Sequence, residues 1–131
     1  MSTILVNTLT GTSTAGSIAV TGEGNSTTTN LQQGLSKSFI NYNQSSGLSV
    51  EASFNITSCT DSATGVAIPN LTSAMSGGDY SSTAMAGFDA GVRVMTTTTK
   101  TASNLTLNVS NKDQTDKDEE DLSCTIHGDL A

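Results

Sequence analysis

The stretch Val50-Glu51-Ala52-Ser53-Phe54-Asn55-Ile56-Thr57 is the clearest structural signal in the chain. Val50, Ala52, Phe54 and Ile56 alternate with Glu51, Ser53, Asn55 and Thr57, and a period of two sends alternate side chains to opposite faces of a strand. The alternation returns downstream. Leu105, Leu107 and Val109 are interleaved with Thr106 and Asn108, and Leu122, Cys124 and Ile126 with Ser123, Thr125 and His127. Upstream, Ile18 and Val20 alternate with Ala19 and Thr21, while Val92 and Val94 lead into the run Thr96–Thr99, which has high strand propensity. Turn chemistry separates these runs at Thr10-Gly11-Thr12, Ala15-Gly16-Ser17, Gly22-Glu23-Gly24-Asn25, Ser46-Gly47, Thr64-Gly65 and Ser76-Gly77-Gly78-Asp79. Many short strands joined by turns predict an all-β fold, a small antiparallel β-sandwich. One or two helical turns are expected within Asn30–Ser38, where Leu31 and Leu35 sit four apart behind an Asn30 cap and Gly34 weakens the helix.

The chain reads as two parts. Residues 1–29 carry few large side chains, namely Ile4, Leu5, Val6, Leu9, Ile18 and Val20. Two short strands with so little bulk cannot enclose a core by themselves. They need a partner, either the rest of the chain or other subunits. We read residues 1–29 as a strand-rich docking and oligomerisation segment and residues 30–131 as the sandwich. Three copies would bury Ile4, Val6, Ile18 and Val20 around an axis and remove open sheet edges.

Composition narrows the function. Hydrophobic residues make up 34% of the 131, against roughly 45–50% apolar, glycine included, in an average domain. Ser and Thr fill the gap with 41 residues. The formal charge is -7, and residues 112–121 alone hold six acids and two bases. The remaining body is nearly neutral and rich in hydroxyls and amides, a composition suited to packing against copies of itself. Twelve acidic and five basic residues make nucleic acid an unsuitable partner, because phosphate binding needs Lys and Arg. No apolar run is long enough to span a membrane, and no basic N-terminus leads into an apolar stretch, so neither membrane insertion nor a signal peptide is expected.

The chemistry-bearing residues are few. Cys59 and Cys124 lie far apart without a CxxC or Cys/His cluster, so they read as buried thiols rather than a zinc site, with a disulfide as the alternative. The one histidine, His127, alternates away from Cys124 and Ile126, and nothing supplies it with a defined catalytic set. The run Asp113, Asp116, Asp118, Glu119, Glu120 and Asp121 could offer oxygen ligands to calcium, but it lacks EF-hand spacing and reads as a solvated, protruding loop. Gly22-Glu23-Gly24 is a turn and not a nucleotide fingerprint. Asn25, Asn43, Asn55, Asn70, Asn104 and Asn108 head Asn-x-Ser/Thr triplets, which a chain so rich in Ser and Thr produces by chance. Outside the acidic run, no pair of carboxylates is marked for glycoside hydrolysis. We therefore expect no enzyme activity, no cofactor and no metal. Phe39, Phe54 and Phe88 read as core, which leaves Tyr42 and Tyr80 as candidate receptor-facing rings for stacking on a sugar.

Several segments carry a resemblance. Ser2-Thr3-Ile4-Leu5-Val6-Asn7-Thr8-Leu9 followed by Ala15-Gly16-Ser17-Ile18-Ala19-Val20-Thr21 resembles the start of fibre-like virion proteins of marine bacteriophages, notably cyanophages. The likeness continues through Leu31–Lys37, Phe39–Asn43 and Ser53–Ser58 to the ending His127-Gly128-Asp129-Leu130-Ala131. It implies a virion structural protein of the tail-fibre kind, β-rich and homotrimeric, assembled in the host cytoplasm. Its N-terminus would dock on other tail or capsid proteins, and its distal part would face the host surface, where a glycan is one possible receptor. The acidic stretch 111–121 and Ser38, where an aromatic is common, depart from that pattern. A capsid decoration or cement protein and a carbohydrate-binding module are the alternatives.

Overall fold

The computed structural model describes residues 3–12, 18–21, 28–87 and 92–131, with no side-chain description for Gln32 and Gln33. The turns read at Ala15-Gly16-Ser17 and Gly22-Glu23-Gly24-Asn25, and the residues Phe88 and Asp89, lie outside the described residues. The chain divides into two units, Met1–Leu35 and Ser36–Ala131.

In the first unit, β1 (Ala19–Thr21) pairs antiparallel with β2 (Thr28–Asn30), Val20 opposite Thr29. A single helical turn, α1 (Leu31–Gly34), follows directly. The Leu31 N–H donates to the Ile18 carbonyl at 2.8 Å and ties the turn to the ribbon. The helix is as short as Gly34 implies.

The second unit is an antiparallel sandwich, as expected. Its strands are β3 (Ser36–Asn43), β4 (Ser49–Phe54), β5 (Ile56–Ala63), β6 (Val66–Leu71), β7 (Ser81–Ala86), β8 (Arg93–Lys100), β9 (Leu105–Asn111) and β10 (Leu122–His127). Sheet one has the order β4-β3-β10-β7 and sheet two β5-β6-β9-β8. The inner strands supply the core. Ile40 and Tyr42 from β3 and Leu122, Cys124 and Ile126 from β10 face Ala67 and Leu71 from β6 and Leu105, Leu107 and Val109 from β9. Pro69 lies on β6, and the β6–β9 ladder stops after Ala67–Leu107, resuming only as a bridge between Asn70 and Asn104. A proline has no N–H to give that ladder.

The opening stretch behaves differently from its reading. Val50–Thr57 is the end of β4 and the start of β5, in different sheets. A bulge opposite Asn41/Tyr42 places Val50 across from Tyr42 and Ala52 across from Asn41, so the two do not share a face. At Asn55 the backbone enters the left-handed region, with φ of 57°, and the chain crosses between sheets. Asn tolerates that conformation better than most residues. Its side chain fixes the corner: Nδ2 donates to the Lys37 and Ser73 carbonyls, and Oδ1 accepts the Ser73 N–H at 2.7 Å. Ile56 then pairs with Leu71 and packs on the core, whereas Phe54 pairs with Phe39 on the outside.

Candidate functional site

Large apolar side chains are exposed in the first unit. Ile4 is 83% and Leu5 90% exposed, and Val6, Leu9 and Val20 are also largely exposed. Ile18 is half-buried. These are the six residues assigned to docking from the sequence.

The two tyrosines correct the sequence reading. Tyr42 is 0% and Tyr80 4% exposed, so neither is a receptor-facing ring. Each is on the inner side for a reason. Tyr42 sits two residues from Ile40 on β3, on the core face. Tyr80 is clamped at one end of the sandwich: its O–H donates to the Asn104 carbonyl at 3.0 Å, and the Lys100 ammonium lies 5.3 Å from its ring centroid. Lys100 Nζ also donates to the Tyr80 carbonyl at 2.6 Å. Burial pushes both phenols above the ordinary value, with nearby Cys59 and Cys124 adding to the shift at Tyr42 and Cys124 to that at Tyr80. The Tyr42 hydroxyl and Gln44 Oε1 are buried with no hydrogen-bond partner among the described residues. Cys59 and Cys124 are free thiols, partly and fully buried, and burial lifts both to about 11.

Phe39 and Phe54 are corrected in the opposite direction. Both stand on the outer face of sheet one, with ring centroids 6.3 Å apart. The register lines up Phe54, Phe39, Thr125 and Thr83 across all four strands, and Ala52, Asn41, Ser123 and Met85 beside them. This leaves an exposed apolar patch at the β3–β4 end of the sheet.

The acidic stretch is only partly a solvated loop. Asn111 Oδ1 accepts the N–H groups of Asp113 and Thr115 at 2.9 Å each, and the chain folds back along β9 with Lys117 N–H donating to the Val109 carbonyl at 3.0 Å. Asp118 Oδ1 accepts the Gly65 N–H at 2.6 Å. Gly65 has φ of +69°, and a Cβ there would lie 2.7 Å from the Lys117 backbone nitrogen, so only glycine fits this approach. Glu119 is 5% exposed and pairs with Arg93 from the inner side of β8. Two of the six acids therefore hold the sandwich together. The signal for this in the sequence was Arg93 itself, the lone arginine. Among the described residues, no group of three His, Cys, Asp or Glu side chains converges to hold a metal ion.

One concavity lies on the outer face of sheet two, with a volume of about 560 Å³. Val94 and Thr96 of β8 and their register partners Ser110 and Asn108 of β9 form its floor. The turn after β9 supplies the rim through Asn111, Lys112, Gln114 and Asp116. His127 is elsewhere, half-buried at the end of β10 opposite Ser36 and Ser81.

No protein-family model matches the chain, and no curated protein or solved structure matches it.

Proposed function

We propose that this chain is a structural protein of a phage particle, a short homotrimeric appendage of the tail-fibre kind that works by binding. Residues 1–29 dock on tail or capsid proteins, and the sandwich is presented outward. The observation that carries this reading is the exposure of Ile4, Leu5, Val6, Leu9 and Val20. Each such side chain, once buried, contributes roughly 1.5–3 kcal/mol. A partner covering the whole stripe would thus hold firmly. The hydroxyl-rich, nearly neutral body suits a protein that stands in a crowded particle without attracting charged bystanders.

The test changes the stripe in the full chain, with Ile4→Ser, Leu5→Ser, Val6→Ser and Leu9→Ser combined. Purified particles made with this variant should lack the chain, while its sandwich melts at the wild-type temperature. Incorporation at normal copy number would refute docking through this segment. Copy number in wild-type particles then separates an appendage, present in a few copies, from a decoration protein that grips every capsomer.

A further inference from the structure

We propose that the basin on the outer face of β8 and β9 is a binding site for a neutral oligosaccharide. It goes beyond the docking reading and does not depend on it, because every group involved lies within Ser36–Ala131.

The volume of about 560 Å³ falls within the usual range for small-ligand sites. Its chemistry is unlike that of an apolar ligand pocket. Thr96, Asn108, Ser110, Gln114 and Asp116 all line it, and none of their side chains has a hydrogen-bond partner among the described residues. Hydroxyls and carboxamides both donate and accept, which is what a ring of sugar hydroxyls requires. Val94 is the apolar part of the floor and remains half-exposed. It gives the C–H face of a pyranose something to rest on.

Charge decides the class further. Lys112 and Asp116 are the charged residues of the lining, so it carries no net charge, and Lys112 Nζ also lies 2.7 Å from Asp113 Oδ1. Asp116 is the one carboxylate in the lining, and no arginine is present. A phosphate or sulfate group would meet the Asp116 carboxylate and a single lysine that already has a carboxylate beside it. A divalent cation would find one carboxylate where it needs several oxygens. An uncharged polyol fits what is left.

The site is also built before any ligand arrives. Four floor residues stand in strand register, Val94 opposite Ser110 and Thr96 opposite Asn108. The rim is held by a bridge between Ser110 and Asp116 and by the Asn111 side chain, which caps the turn. A backbone fixed in floor and rim lowers the ordering cost of binding.

The experiment titrates the full chain with maltotriose, cellotetraose and mannotriose and follows backbone amide shifts by NMR. Saturable shifts confined to residues 94–96 and 108–116 are expected with at least one of the three. The variant Thr96→Val with Asn108→Ala, whose lost groups make no bond among the described residues, should bind about tenfold more weakly. Thr83→Ala, on the other sheet, should bind like the wild type. The proposal is overturned by no saturable shift with any of the three sugars, by shifts centred on Phe39 and Phe54, or by undiminished binding to the double variant. Tighter binding of a sulfated oligosaccharide than of its neutral parent also overturns it.

Discussion

The apolar side chains of β9 and β10 and those of Ile4, Leu5, Val6, Leu9 and Val20 are chemically alike, yet they meet opposite surroundings. Leu105, Leu107, Val109, Leu122 and Ile126 are buried between two sheets. Ile4, Leu5, Val6, Leu9 and Val20 are exposed. Sparse leucine, isoleucine and valine set among threonine and serine occur in both places. What differs is a second sheet to close on. Hydrophobic side chains supply the drive to bury, but burial itself needs a facing layer. The sandwich contains its own, and the leading ribbon of one described β1–β2 pair does not.

This contrast can be broken at several points. Glu119→Ala should have the largest effect, because it leaves the mostly buried Arg93 guanidinium without its carboxylate. A cost of about 3–5 kcal/mol is expected in urea unfolding. A loss under about 1 kcal/mol would show that the ion pair is as weak as a surface one. Leu107→Ala comes next, at about 2–5 kcal/mol, since Leu107 is fully buried and its removal leaves a cavity. The matching change Leu5→Ala should leave the sandwich transition where it is. Equal destabilisation by the two would erase the distinction between the regions.

A smaller effect concerns the thiols. Folding lifts Cys59 and Cys124 from 9.0 to about 11, so the folded chain keeps their protons to higher pH than the unfolded chain does. Their contribution is therefore complete below pH 9.0 and is lost as pH climbs from 9.0 through about 11. Stability measured across that window should fall, and Cys59→Ser with Cys124→Ala should flatten the slope, leaving the part due to Tyr42 and Tyr80. An unchanged slope in the double variant would mean that the thiols are not shielded from water.

The sequence was legible where one strand serves one buried face. Leu105–Val109 and Leu122–Ile126 alternate because each faces a full opposing sheet, and both readings hold in the structure. Val50–Thr57 alternates equally well but misleads. A bulge shifts the phase at Glu51, and Asn55 turns the chain into the other sheet. Neither event leaves a mark on the pattern of apolar residues. Edge strands add a second difficulty: β4 is exposed along its whole length, so Phe54 projects outward although phenylalanine is usually core. Tyr42 was misplaced for the converse reason, since its hydroxyl suggests a wet surface while its place on β3 puts it inside. The pairing of Arg93 with Glu119 joins β8 to a distant loop. The floor of the basin likewise depends on the register of β8 against β9, which spacing along one strand does not specify.

Whether the leading ribbon needs other molecules is most directly tested by sedimentation equilibrium of the full chain in dilute solution. We expect a particle of three times the 13.4 kDa chain mass, dissociating to single chains when Ile4, Leu5, Val6 and Leu9 are changed to serine. A wild-type chain that stays at 13.4 kDa, with its first residues protected from hydrogen exchange, would show that the ribbon is satisfied within one molecule.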